Sequence, residues 1–136
     1  MNSEERKTCS ILIIDNVSPD LHVLGPLLGR EGYTLSFAMS GEQALEMAAA
    51  ESYDLILLDF RLPGMDSCEV CRCLKNDPRT AGIPVILLAA KSETNEVLAG
   101  FHQGAVDYII KPFHIGELLA RVRTYLELKK SRDALD

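Results

Sequence analysis

Five short apolar runs punctuate the chain, at 11–14, 33–38, 55–58, 85–90 and 108–110, and each has the length of a strand. Three of them are almost purely hydrophobic, which predicts burial on both faces, as in a parallel sheet covered by helices. Amphipathic stretches lie between the runs. Ser18 and Pro19 offer an N-cap and a first-turn proline ahead of Leu21, Leu24, Leu27 and Leu28 at helical spacing. Ser40 and Gln43 have capping-box spacing ahead of Ala44, Leu45 and Ala48. Asp66 leads into Cys68, Cys71 and Leu74, of which the last two are expected in the core, and Ser92 is expected to cap a segment carrying Val97, Leu98 and Phe101. A last helical pattern runs from about Ile115 through Leu118, Leu119, Val122, Leu126 and Leu128. One local rule is broken: Gly25 and Pro26 fall inside the first helical pattern, where proline removes a backbone hydrogen bond and is expected to kink or loosen the helix.

Strict alternation of strand and helix implies a doubly wound α/β domain, because each right-handed crossover lays its helix on one face of the sheet. Ligands in such sheets bind beyond the C-terminal ends of the strands. A chain of 136 residues has room for one such domain. The polar segment 1–8 is expected as a flexible lead-in and 9–126 as the folded unit. The tail 127–136 is expected as a helical extension that frays or, with Leu128 and Leu135 seven residues apart, begins a coiled-coil linker.

Composition narrows the function classes. With 14 basic and 20 acidic residues the formal charge is -6, which argues against direct nucleic-acid binding or a membrane surface role through bulk charge. The first apolar run is too short for a signal-peptide core or a membrane span, so a cytoplasmic location is expected. Cys9, Cys68, Cys71 and Cys73 then read as free thiols, and Cys68, Cys71 and Cys73 splay around a helix instead of converging on zinc. His22, His102 and His114 have no metal-ligand spacing and read as surface or packing residues.

Chemistry collects at the strand ends: Asp15 and Asn16 after the first run, Asp59 after the third, Lys111 after the fifth. Two carboxylates beside each other make a hard, oxygen-rich site of the kind magnesium takes. A lysine nearby can hold a phosphoryl oxygen as a point charge. Together they describe a site able to accept a phosphoryl group on a carboxylate, with Asp59 as the nucleophile.

The stretches ILIIDN (11–16), DLILLDFRLPGMD (54–66), IPVILLAA (83–90) and GAVDYIIKPF (104–113) resemble the receiver domains of bacterial two-component response regulators, of the chemotaxis-receiver kind. The resemblance covers nearly the whole chain. It implies a flavodoxin-like (βα)5 three-layer sandwich whose five parallel strands run in the order 2-1-3-4-5. It implies a phosphorelay signalling domain, not an enzyme, that takes a phosphoryl group on Asp59 from a histidine kinase or phosphotransfer protein. Mg²⁺ would be held by Asp15, Asp59 and the backbone carbonyl of Arg61, with Asn16 as a weakened ligand. Lys111 would contact the phosphoryl group, Tyr108 would stand at the aromatic switch position, and the Lys111-Pro112 bond would be cis. An output domain or protein would follow downstream, fused in a longer chain or separate, and a homodimer is one of the arrangements implied.

Two departures from the family pattern stand out. Asn16 replaces the second member of the usual acidic pair, bringing an oxygen but no charge, so metal affinity should fall. Ala89, thirty residues after Asp59 and twenty-two before Lys111, occupies the position of the usual switch serine or threonine. These departures support an alternative reading as a pseudo-receiver, an interaction module whose phosphorylation is weakened or absent. Arg61 and Lys91 are expected to rim the site. A haloacid-dehalogenase-type phosphatase would need a second aspartate where Arg61 stands, and flavin binding would need a phosphate loop that residues 15–19 do not supply.

Overall fold

The computed structural model describes residues 2–16, 20–100 and 104–135. A short helix α1 (Ser3–Lys7) precedes β1 (Ser10–Ile14), α2 (Asp20–Arg30), β2 (Thr34–Ala38), α3 (Gly41–Ala50) and β3 (Leu55–Asp59). There follow α4 (Ser67–Asn76), β4 (Val85–Ala90), a 3-10 turn (Lys91–Glu93), α5 (Thr94–Gly100), β5 (Asp107–Lys111) and α6 (Ile115–Leu135). The five strands form one parallel sheet in the order β2-β1-β3-β4-β5. This is the flavodoxin-like order that the resemblance implies.

Alternation along each strand divides the core in two. Ile11, Ile13, Leu55, Leu57, Ile86, Leu88 and Ile109 face Leu24 and Leu28 of α2 and Leu118, Val122 and Leu126 of α6. The intervening residues, Leu12, Ile14, Ile56, Leu58, Val85, Leu87 and Ala89, face Ala44 and Ala48 of α3, Val70, Cys71 and Leu74 of α4, and Val97 of α5. Both faces of β3 are sealed, and every one of its residues is buried. That explains why the central runs carry no polar residue before their last position: a polar side chain on either face would lose its hydration without a partner.

Helix starts follow the expected chemistry with two differences. Asp66 accepts the backbone N–H of Glu69 at 2.9 Å, and Ser40 accepts that of Gln43 at 3.1 Å. The Gln43 side chain reaches one residue further back than a capping box requires, accepting the N–H of Met39 at 2.8 Å. Ser92 does not cap α5. It lies inside the 3-10 turn, and Glu93 instead accepts the Ala90 N–H at 2.7 Å, so a carboxylate from within the turn satisfies the donor left at the strand end.

Helix α2 continues through Gly25 and Pro26 without a break, because Pro26 lies on the exposed side, where one missing backbone bond is tolerated. The expected cap at Ser18 and Pro19, the side chain of Leu21, and Phe101 and His102 lie outside the described residues. The polar start of the chain is wound into α1 where a flexible lead-in was expected, with Asn2 and Glu5 forming a reciprocal capping box.

The far end of α6 lies along the domain. Lys129 stands 3.6 Å from Asp54, and Arg132 donates to the carbonyl of Gly82. Leu128 and Leu135 stay exposed, at 59% and 88%. On the opposite side of β4, Lys75 is half-buried and donates to the carbonyls of Ala81 and Ile83 at 3.1 and 2.9 Å. Its stem crosses Gly104, where φ is +116° and an added Cβ would lie only 2.5 Å from Lys75 Cγ, so a side chain there would be strained.

Two outcomes test this core. Leu57, fully buried in the centre of the sheet, should lose about 2–5 kcal/mol of stability on replacement by alanine, read from urea unfolding midpoints at constant m-value. Burial pushes the Cys71 thiol up to about 12, so timed alkylation of the folded protein should modify the partly exposed Cys68 and Cys73 well before Cys71.

Candidate functional site

The C-terminal ends of β1, β3 and β5 deliver the predicted polar residues to one edge of the sheet. Ile14 pairs with Leu58, so Asp15 and Asp59 stand one step further along on neighbouring strands, 1% and 5% exposed. Lys111 closes β5 and reaches back across β4, its Nζ donating to Asp59 Oδ2 at 2.9 Å. Asp59 Oδ1 accepts the backbone N–H of Arg61 at 3.1 Å. One carboxylate is thus fixed from two directions, by a cation and by an amide in the loop that follows its own strand. Such donors offset the desolvation of a buried carboxylate.

Asn16 is half-buried beside Asp15. The oxygen donors at this edge, two carboxylates and one amide, have the chemistry of a hard divalent cation site. The Lys111-Pro112 peptide is cis. Ala89 is 1% exposed, pairs with Ile110, and packs within the α3-α4-α5 half of the core. Tyr108 is half-buried against that same half, and its carbonyl accepts from Arg121 at 3.0 Å.

The rim is more structured than the sequence suggested. Arg61 does more than border the site: its guanidinium donates to Glu93 through Nε and to Glu96 Oε1 through Nη2, the latter at 3.2 Å. Glu93, 7% exposed, was not among the expected site residues. Its signal was a carboxylate three positions beyond the end of an apolar strand, the reach needed to accept that strand's last N–H. Lys91 is exposed and lines a cavity of about 620 Å³ with Tyr108, Lys111, His114, Glu117 and Arg121. In its lining Arg121 donates to Asp107 Oδ1 at 2.6 Å, and from outside it the Tyr125 hydroxyl donates to Asp107 Oδ2 at 3.1 Å, a network the apolar pattern could not reveal. His114 accepts the N–H of Glu117 at 3.3 Å at the start of α6, and His22 is exposed. Ser67 is buried at the start of α4 and lines a second groove with Phe60, Arg61 and Glu96.

Residues 11–123 match the family model of the response regulator receiver domain. The chain belongs to this family. It is 42% identical over 125 residues to the response regulator PleD of Caulobacter vibrioides, covering 92% of this chain and 28% of that protein. It is 39% identical over 127 residues to the response regulator ArlR of Staphylococcus epidermidis, covering 93% of this chain and 57% of that protein. The chain therefore spans less than two thirds of these relatives' lengths. Among solved structures it superimposes on the receiver domain of the sensor histidine kinase PA1611 from Pseudomonas aeruginosa with a TM-score of 0.81 at 27% identity, covering 88% of this chain and 98% of that one. That crystal structure has a magnesium ion coordinated in its active-site cleft. The receiver is a signalling domain of two-component systems, and among its described residues no helix is long and apolar enough to cross a membrane.

Removing the cation that faces Asp59 should expose the cost of the carboxylate's burial. Lys111→Met should destabilise the receiver by about 1–3 kcal/mol, less than for a fully buried pair because Lys111 is 20% exposed. Asp59→Asn in the Lys111→Met background should recover most of that loss in the same urea titration.

Proposed function

We propose that this receiver accepts a phosphoryl group on Asp59 from a histidine kinase or phosphotransfer protein and passes the change on through α5, β5 and α6. The observation that carries the reading is the doubly fixed Asp59 carboxylate, held by Lys111 Nζ at 2.9 Å and by the Arg61 N–H at 3.1 Å at the mouth of a parallel sheet. An Asp59 oxygen attacks the phosphorus of a phosphohistidine in line. The new P–O bond forms as the P–N bond breaks, and the electron pair leaves on the imidazole nitrogen, which takes up a proton. Lys111 follows the charge from the carboxylate to the phosphoryl oxygens as a mobile ammonium.

Asp15, Asp59, the Arg61 carbonyl and the Asn16 amide oxygen would hold Mg²⁺. When bound, the ion neutralises charge on the transferred group and the carboxylates. The donor chemistry fits it, with Asn16 costing one negative charge and hence affinity. Tyr108 takes the aromatic switch position without a hydroxyl at Ala89 to follow.

We assign the receiver unit to 9–126 and treat 127–136 as a helical extension. With Leu128 and Leu135 exposed, the extension suits the start of a coiled coil leading to an output domain. The greater length of the relatives supports placement within a longer cytoplasmic protein, with homodimerisation as one route of output. The buried methyl of Ala89 favours a second reading, a pseudo-receiver that signals by binding alone.

Intact mass after incubation with acetyl phosphate separates the two. A Mg²⁺-dependent gain of about 80 Da, absent from Asp59→Asn, is the expected result, one phosphoryl group on a carboxylate. No gain under any metal condition would leave the pseudo-receiver as the reading.

A further inference from the structure

Arg61 is tied to two parts of the molecule at once. Its backbone N–H belongs to Asp59, while its guanidinium crosses to the segment after β4 and pairs with Glu93 and Glu96. The Arg61 side chain is 66% exposed, and its Cζ lies 5.7 Å from the centroid of the Phe60 ring, so it has solvent on one side. Glu93 is the fixed end of the arrangement. Its side chain is 9% exposed, and its other oxygen accepts the N–H of Ala90, the residue after Ala89. The side-chain cation two positions after the acceptor carboxylate is therefore held by the turn that follows Ala89 and Ala90.

We infer that Arg61, Glu93 and Glu96 form a charge latch that stands in for the missing hydroxyl: a phosphoryl group on Asp59 draws the guanidinium away from the two glutamates and releases the 3-10 turn and the first turn of α5. The inference rests on Asp59 being the phosphoacceptor. A phosphoryl group brings close to two negative charges and three acceptor oxygens, and a guanidinium can meet two of them at once. The competing partner Glu96 is 57% exposed, so the pair it makes is screened by water and yields readily. Glu93 keeps its hydrogen bond to Ala90 but loses its counter-charge, which leaves a poorly hydrated carboxylate and loosens the turn around it. The two states differ by which anion holds Arg61, the differential contact that a two-state switch requires.

Hydrogen exchange across 90–98, measured on the full chain with and without acetyl phosphate and Mg²⁺ and accompanied by intact mass, tests the latch. Phosphorylation should speed exchange there about two- to fivefold, the range that loss of an exposed ion pair supports. In Arg61→Ala the segment should exchange at the faster rate from the start and show no further rise. Glu96→Gln, which leaves the guanidinium in place, should raise the starting rate and shrink the response, and it serves if Arg61→Ala does not fold. A phosphoryl adduct with unchanged exchange overturns the latch and leaves the phosphoacceptor reading intact, as does a full response in Arg61→Ala. Absence of the adduct overturns both.

Discussion

A parallel sheet sealed by helices on both faces can meet water only at its strand ends, and this constraint shapes the whole receiver. Among the described residues, the inner strands β1, β3 and β4 carry no ionisable side chain before Asp59 at the end of β3, because neither face could solvate one. Polar chemistry is therefore displaced to the last residue of a strand or the first beyond it, and Asp15, Asp59 and Lys111 converge there because their strands run in one direction. The apolar body holds these side chains in register, and the low exposure of the two aspartates follows from the same packing. The site is an edge property of the core.

Much of this was legible in the order of residues. Strand positions, strict alternation with helices, the caps at Ser40 and Asp66 and the three strand-end residues follow from patterns of period two and 3.6 and from local side-chain reach. The strand order and the cis Lys111-Pro112 bond came instead from the family resemblance, since periodicity carries no information about which strands are neighbours. The misplaced cap at Ser92 has a clear origin. Serine is the commoner capping residue, but here the strand ran into a tight turn, and Glu93 was long enough to reach back to Ala90.

What the pattern could not show were contacts between residues distant in sequence on the solvent side. Arg61 meets Glu93 and Glu96 across more than thirty positions, and Arg121 and Tyr125 meet Asp107 from the next helix. Each partner alone resembles an ordinary exposed charge. Only the topology, which sets β3 beside β4 and packs α6 against β5, brings them together. The same holds for Lys75, whose stem needs the glycine at 104 because the chain doubles back over it.

The geometry of α6 joins the two ends of the receiver. It starts four residues after Lys111 and runs for 21 residues, roughly 31 Å at the usual helical rise. Its first turn sits by the site edge, while its last turns pass Asp54 and Gly82 at the opposite end of the sheet. A rigid rod of that length acts as a pointer: rotating it by about 5° around its first turn carries its tip by roughly 3 Å. Leu135 rides on that tip and Leu128 lies two turns before it, both exposed, so a rearrangement too small to disturb the core would still displace apolar surface along the far half of the helix.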